Sequence, residues 1–173
     1  LAFQDVQTGL ANRRGFIAVY QGLPQDQVHG VLLIDIDHFK QINDSFGHAA
    51  GDVVVVEIAR RIQQGAGAGS HCARWGGDEF IVLLADGAPN LLRGLAYGLM
   101  AQICEHPVTL PDGRSVNATV SIGACLAEPG EVLERATDMA DAALYLAKNG
   151  GRNRVVVFDT DGAAIEKARA NLA

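Results

Sequence analysis

Two glycines followed at once by two carboxylates, Gly76-Gly77-Asp78-Glu79, lie between strand-like flanks and constrain this chain more than any other segment. Downstream runs Phe80-Ile81-Val82-Leu83-Leu84. Upstream, Cys72, Arg74 and Trp75 read as the end of another strand. Strands joined through Gly-Gly make a tight hairpin, because glycine accepts the positive φ that such turns use. The sequence predicts paired strands over residues 71–75 and 80–85, with Asp78 and Glu79 at the turn exit. Adjacent like charges on a rigid turn repel, and a divalent cation is one reason to hold them there. A well-solvated hairpin accounts for the same residues. A second acidic cluster bears on the choice.

That cluster ends the run Val31-Leu32-Leu33-Ile34-Asp35-Ile36-Asp37, an apolar stretch passing into alternation, which reads as a buried strand. Residues two apart on a strand share a face, so Asp35 and Asp37 point one way and Ile34 and Ile36 the other. A carboxylate at the end of a buried strand is costly unless paired or bound to metal. For Asp37 a solvated strand end is an equally good explanation. Asp35 together with the acidic hairpin favours a shared site over two unrelated ones.

The remaining chain alternates helical and extended signals. A short helix is expected over residues 12–20, capped near Asn12. Residues 46–62 carry Val54, Ile58 and Ile62 at helical spacing, although Val53-Val54-Val55-Val56 prefers strand locally. Helices are also expected over residues 91–105 and 131–148. The latter has Val132, Met139, Ala143 and Leu146 on or near one face and stops at Gly150-Gly151. A second hairpin is expected around Pro111-Asp112-Gly113-Arg114, with strands over residues 118–127 and 155–158. Such a mixture indicates one sheet with helices packed on it.

At 173 residues the chain makes one domain with a sizeable core. A net charge of −6 without a basic cluster excludes a long nucleic-acid partner but not a single nucleotide. Cys72, Cys104 and Cys125 suit neither a disulfide framework nor a zinc site, and read as small buried hydrophobes in a reducing compartment. There is no signal peptide or run of membrane length, so a cytoplasmic location without membrane contact by this domain is expected, and the parent protein can still be membrane-anchored. The chain lacks an initiator Met and reads as excised from a larger protein. Residues 1–158 are expected to form the domain, and residues 159–173 a helical tail leading toward a missing one.

Several ordered segments resemble the GGDEF domains, the diguanylate cyclases. Asp5-Val6-Gln7-Thr8-Gly9-Leu10-Ala11-Asn12-Arg13-Arg14 is similar to the family's first motif, departing at Gln7 where the family prefers leucine. The segments from Ile34 to Asp44 and from Phe46 to Asp52 fit the next two motifs, and the signature from Gly76 to Phe80 is intact. Val120-Ser121-Ile122-Gly123 and the stretch from Ala140 through Lys148-Asn149-Gly150-Gly151-Arg152-Asn153 fit later ones. The resemblance implies an α/β (α+β) fold of nucleotide-cyclase or polymerase-palm type. Its central, mostly antiparallel five-stranded sheet would be flanked by helices, with a small β-hairpin added and Asp35 beside the Gly76-Gly77 turn.

The implied activity is condensation of two GTP into cyclic di-GMP with release of pyrophosphate, across a homodimer. Asp35, Asp78 and the Ile36 carbonyl are the implied Mg²⁺ ligands (Mn²⁺ being an alternative), with Glu79 as ligand or base. Asn43 and Asp52 would read guanine, both also being good residues for starting the following helix. Lys148 and Arg152, with Lys40 and the Phe39 and Lys40 amides, would hold phosphates. His38, Gly76 and Gly77 complete the implied substrate contacts. Arg13 or Arg14 is expected to pair with Asp5. The family's product-inhibition motif, Arg-x-x-Asp, is replaced by Gly67-Ala68-Gly69-Ser70, so no tight feedback through that site is expected. Implied partners are an upstream regulatory domain and a downstream EAL phosphodiesterase. The competing function is a non-catalytic GTP-binding module that regulates such a neighbour. A polymerase palm shares the metal logic but lacks the basic surface.

Overall fold

The computed structural model describes residues 2–158. The tail helix expected within residues 159–173 lies outside them. Among the described residues seven strands and five helices follow one another as α1 (Arg13–Gln21), β1 (His29–Ile36), α2 (Phe39–Phe46), α3 (His48–Ala66), β2 (Ser70–Arg74), β3 (Glu79–Leu84), α4 (Pro89–Cys104), β4 (Val108–Thr109), β5 (Ser115–Val116), β6 (Val120–Ala127), α5 (Leu133–Asn149) and β7 (Val155–Val157). Five strands form one sheet in the order β2-β3-β1-β6-β7, antiparallel except for the β6–β7 pair. The β4–β5 hairpin stands apart as a second, two-stranded sheet.

Strand β1 is buried along its whole length because both faces of the sheet are covered. Leu32, Ile34 and Ile36 face a core shared with Ile42, Val54, Ile58 and Ile62 of α2 and α3 and with Leu99 and Ile103 of α4. Val31 and Leu33 face the opposite core, with Phe16 of α1 and Ala136, Ala140 and Leu144 of α5. The period-two alternation of β1 thus sorts its side chains between two helical layers.

Burial settles the conflict in the valine run. Val54 and Val55 are buried in α3, so packing outweighs the strand preference of four consecutive β-branched residues. The helix expected over residues 46–62 is α3, and a further helix the sequence did not announce, α2, ends at Phe46, separated from it by Gly47 with φ 93°. Helix α2 escapes a periodicity reading because its eight residues span barely two turns. In α5 the buried face is Ala136, Ala140, Ala143, Leu144 and Ala147, whereas Val132 precedes the helix and is 65% exposed. Alanine lets α5 lie close to the sheet. At Gly123 of β6 a Cβ would overlap the Ala140 carbonyl and the Leu144 amide.

Candidate active site

That close approach aims the end of α5 at the end of β1. Leu144 lies over Gly123, and Lys148 is one helical turn further on the same face. Its ammonium pairs with Asp35 Oδ2. In the β1–β3 ladder Asp35 stands directly opposite Glu79, and the Ile36 amide donates to the Asp78 carbonyl at 3.1 Å. The ladder thus brings the strand-end carboxylate and the acidic turn together.

Crowded carboxylates in a dry place resist ionisation. Burial, then the charges of Asp78 and Glu79, push Asp35 up to about 6 against the pull of Lys148. Burial also raises Glu79, with Asp78 and Asp141 adding to it and Lys148 opposing. For Lys148 burial works against the charged form, but its bond to Asp35 and the nearby acids outweigh that and raise it. Asp35 is 8% exposed, and its Oδ1 is buried without a hydrogen-bond partner. An orphaned anionic oxygen beside other carboxylates is the donor chemistry of a hard divalent cation. No three His, Cys, Asp or Glu groups among the described residues already form a metal cage.

The turn is held by Arg74, which the sequence reading took only as a strand end. Its Nε donates to the Gly76 carbonyl at 3.2 Å and its Nη2 to the Gly77 carbonyl at 2.7 Å. Its Nη1 reaches Gln7 Oε1 at 2.7 Å and Asp5 Oδ2 at 3.3 Å. Asp5 therefore pairs with Arg74, not with Arg13 or Arg14. Arg13 stacks on Trp75 at 4.1 Å and bonds its carbonyl, and Arg14 lies over Phe3. The expectation of positive φ at Gly76 and Gly77 is also corrected, since neither adopts it. Space is what Gly76 supplies: a Cβ there would stand 3.1 Å from Glu79 Oε2.

On the other side of Asp78 opens a cleft of about 490 Å³ lined by Phe39, Lys40, Asn43, Asp44, His48, Asp52, Val55, Arg74, Gly77 and Asp78. Five of the residues implied for nucleotide contact, Phe39, Lys40, Asn43, Asp52 and Gly77, meet here with Asp78. The first bond of α2 runs from the Ile42 amide to the His38 carbonyl, leaving the Phe39 and Lys40 amides without helical partners. His38 adopts φ 53° to begin that helix and is not in the cleft lining. A residue missed from sequence is Gly51, where a Cβ would overlap Asn43 Oδ1 and stand 3.3 Å from Phe39 Cζ. A glycine inside a helix is the signal that was available, because it costs helix stability unless space demands it.

Lys148 is on Asp35 and does not line the cleft, and Arg152 lies in the turn after α5. Asp37 is engaged entirely within the protein, by Ser121, Thr119 and Asn153. All three cysteines are free. Burial raises their thiols, Cys72 to about 11 and Cys125 to about 12. Among the described residues no helix is long and apolar enough to cross a membrane.

Known proteins are similar to this chain over most of its length. Residues 2–154 match the family described as diguanylate cyclase, GGDEF domain. The chain is 38% identical over 161 residues to diguanylate cyclase DgcM of Escherichia coli, covering 90% of this chain and 38% of that protein. It is 39% identical over 163 residues to the response regulator PleD of Caulobacter vibrioides, covering 90% and 36%. The crystal structure of the GGDEF domain of DgcB from Caulobacter crescentus in complex with c-di-GMP superposes with a TM-score of 0.83 at 32% identity, covering 91% of this chain and 93% of that one. The chain spans well under half the length of the two full-length relatives. A family match over almost every described residue, on a sheet that sets Asp35 opposite Glu79, establishes that the chain belongs to the diguanylate cyclase GGDEF domain family.

Proposed function

We propose that this domain condenses two GTP molecules into cyclic di-GMP with release of pyrophosphate, working as a two-fold pair. The observation that carries the reading is the register of Asp35 against Glu79, with Asp78 joining that acidic pair to the cleft of Asn43 and Asp52. Asn43 and Asp52 bind the guanine edge, the carboxylate accepting from N1–H and the N2 amine. Adenine has neither donor, which selects GTP. Lys40 and the free amides of Phe39 and Lys40 hold the outer phosphates, with Lys148 and Arg152 as further cations.

Asp35 and Asp78, with the Ile36 carbonyl, would hold Mg²⁺, or Mn²⁺ in its place. When bound there, such a cation would supply charge neutralisation for the phosphates and acidify a hydroxyl. The 3′-oxygen of one GTP forms a bond to the α-phosphorus of the other, and the bond to the β-phosphate oxygen breaks. Glu79, held above the ordinary carboxylate range by burial, accepts the 3′-hydroxyl proton. Arg74 fixes the turn, so the acids do not drift as charge develops. Each domain holds one GTP, so turnover requires a second copy facing it, in the cytoplasm where GTP is available. An EAL phosphodiesterase is one candidate for a regulatory neighbour, since an EAL/GGDEF domain protein is among the similar solved structures.

Incubating the domain with GTP and Mg²⁺ at high protein concentration tests the reading. Cyclic di-GMP should accumulate with a rate that rises faster than linearly in protein. GTP bound tightly without product would instead identify a non-catalytic regulatory module.

A further inference from the structure

Asp37 stands two residues beyond Asp35 and has no part in the chemistry above. It is 6% exposed and both its oxygens are occupied. Ser121 Oγ donates to Oδ1 at 2.7 Å, Thr119 Oγ1 donates to Oδ2 at 2.7 Å, and the Asn153 amide donates to Oδ2 at 2.9 Å. The last bond crosses from the end of β1 to the turn between α5 and β7. In that turn Gly151, Arg152 and Asn153 have φ of 117°, 64° and 47°. Glycine takes such angles freely, but arginine and asparagine do so at a cost and only where the surroundings impose it.

The surroundings are visible. The Arg152 amide donates to the Ala147 carbonyl at 3.0 Å, and Ile122 donates to the Arg154 carbonyl at 3.0 Å. Arg154 Nε donates to the Arg152 carbonyl at 3.0 Å, its guanidinium lying where a Cβ at Gly150 or Gly151 would intrude. Asp37 adds a charge-assisted bond at the second left-handed residue, the stronger kind.

We propose that Asp37 is a positioning residue: by holding the Asn153 amide it fixes the left-handed Arg152-Asn153 turn and so aims Arg152 at the phosphates of the bound nucleotide. The proposal rests on the reading of Arg152 as a phosphate contact. Three donors converge on one carboxylate, and an amide in its place would present its own N–H₂ to one of them. The strand end that carries Asp35 and the turn that carries Arg152 are thereby tied into one rigid piece.

The test is a double-mutant cycle on Asp37→Ala and Arg152→Ala, titrating a non-hydrolysable GTP analogue with Mg²⁺ and following amide exchange at Asn153 in the nucleotide-free domain. Each single variant should weaken binding about tenfold, and the double variant no more than Arg152→Ala alone, because the two act through one contact. Exchange at Asn153 should quicken in Asp37→Ala. Should that variant fail to fold, Asp37→Asn carries the same cycle. A lowered melting temperature with unchanged nucleotide affinity, or additive losses, overturns the proposal. Affinity indifferent to Arg152→Ala defeats the phosphate reading and this inference with it, whereas affinity that depends on Arg152 but not on Asp37 defeats this inference alone.

Discussion

The ammonium of Lys148 pairs with Oδ2 of Asp35 while Oδ1 of the same carboxylate is buried and unpartnered. One acidic group thus holds a protein cation on one oxygen and offers the other. Lys148 thus sits on a carboxylate that the proposed metal site also uses, and like charges cannot share it cheaply.

Replacing Lys148 should therefore act in opposite directions on metal and nucleotide. In the nucleotide-free domain Lys148→Met should tighten Mn²⁺ binding by about tenfold, followed by electron paramagnetic resonance, because a competing charge is gone. The same variant should weaken GTP-analogue binding through loss of a phosphate cation. Unchanged or weaker Mn²⁺ binding would show that Lys148 does not compete with the metal.

Acid should stabilise the metal-free site. Asp35 is raised to about 6 in the folded chain, burial leading, and Glu79 is raised too. The folded state holds these protons more tightly than the unfolded state, where such groups titrate near about 4. The contribution is therefore complete below about pH 4 and is lost as pH rises through about 6. With a chelator present, the melting temperature of the native chain should fall over that window by a few degrees more than that of Asp35→Asn, on the order of 1 kcal/mol once solvent screening is allowed for. Parallel profiles for the two proteins would remove Asp35 as the cause.

Gly51→Ala separates stability from binding. Alanine is the better helix former by about 1 kcal/mol. Its methyl nevertheless takes the place of Asn43 Oδ1, and the half-buried amide must swing out of the cleft. The expected result is a nearly unchanged melting temperature with GTP-analogue affinity reduced about tenfold, the worth of one lost bond to the base. Full affinity in this variant would take guanine recognition away from Asn43.

Feedback should be weak. Gly67 closes α3 with φ 74° and Ser70 opens β2, so the positions of the family's Arg-x-x-Asp carry no cation and no carboxylate. Cyclic di-GMP added at concentrations comparable to the substrate should leave the initial rate unchanged. Tight binding of product with loss of activity would reveal a different inhibitory surface.

The parts of the site legible in the sequence were those fixed by local chain geometry. Asp35 ends an apolar run, Asp78 and Glu79 leave a Gly-Gly turn, and Asn12 caps α1 with its side chain accepting from the Gly15 amide. Non-local geometry was out of reach. Nothing in residue order says that Gly123 brings Leu144 onto the sheet and thereby sets Lys148 on Asp35. Residue order matches Asp5 with Arg13 or Arg14, and only the fold chooses Arg74 instead. Gly76 and Gly77 were rightly placed in a turn for a wrong reason, since room for the Glu79 carboxylate, not positive φ, is what Gly76 provides. Asp37 kept two readings because its partners, Ser121, Thr119 and Asn153, are remote in sequence.

The central claim is that the acids of the β1 end and the β2–β3 turn act together on GTP. Its most direct test is the rate of cyclic di-GMP formation by Asp78→Ala and Glu79→Ala beside the unaltered domain, at matched protein concentration with saturating GTP and Mg²⁺. The account predicts that both variants lose turnover by at least about a hundredfold while melting cooperatively, with Asp78→Ala also losing Mg²⁺-dependent GTP binding. Normal turnover by Asp78→Ala would contradict it.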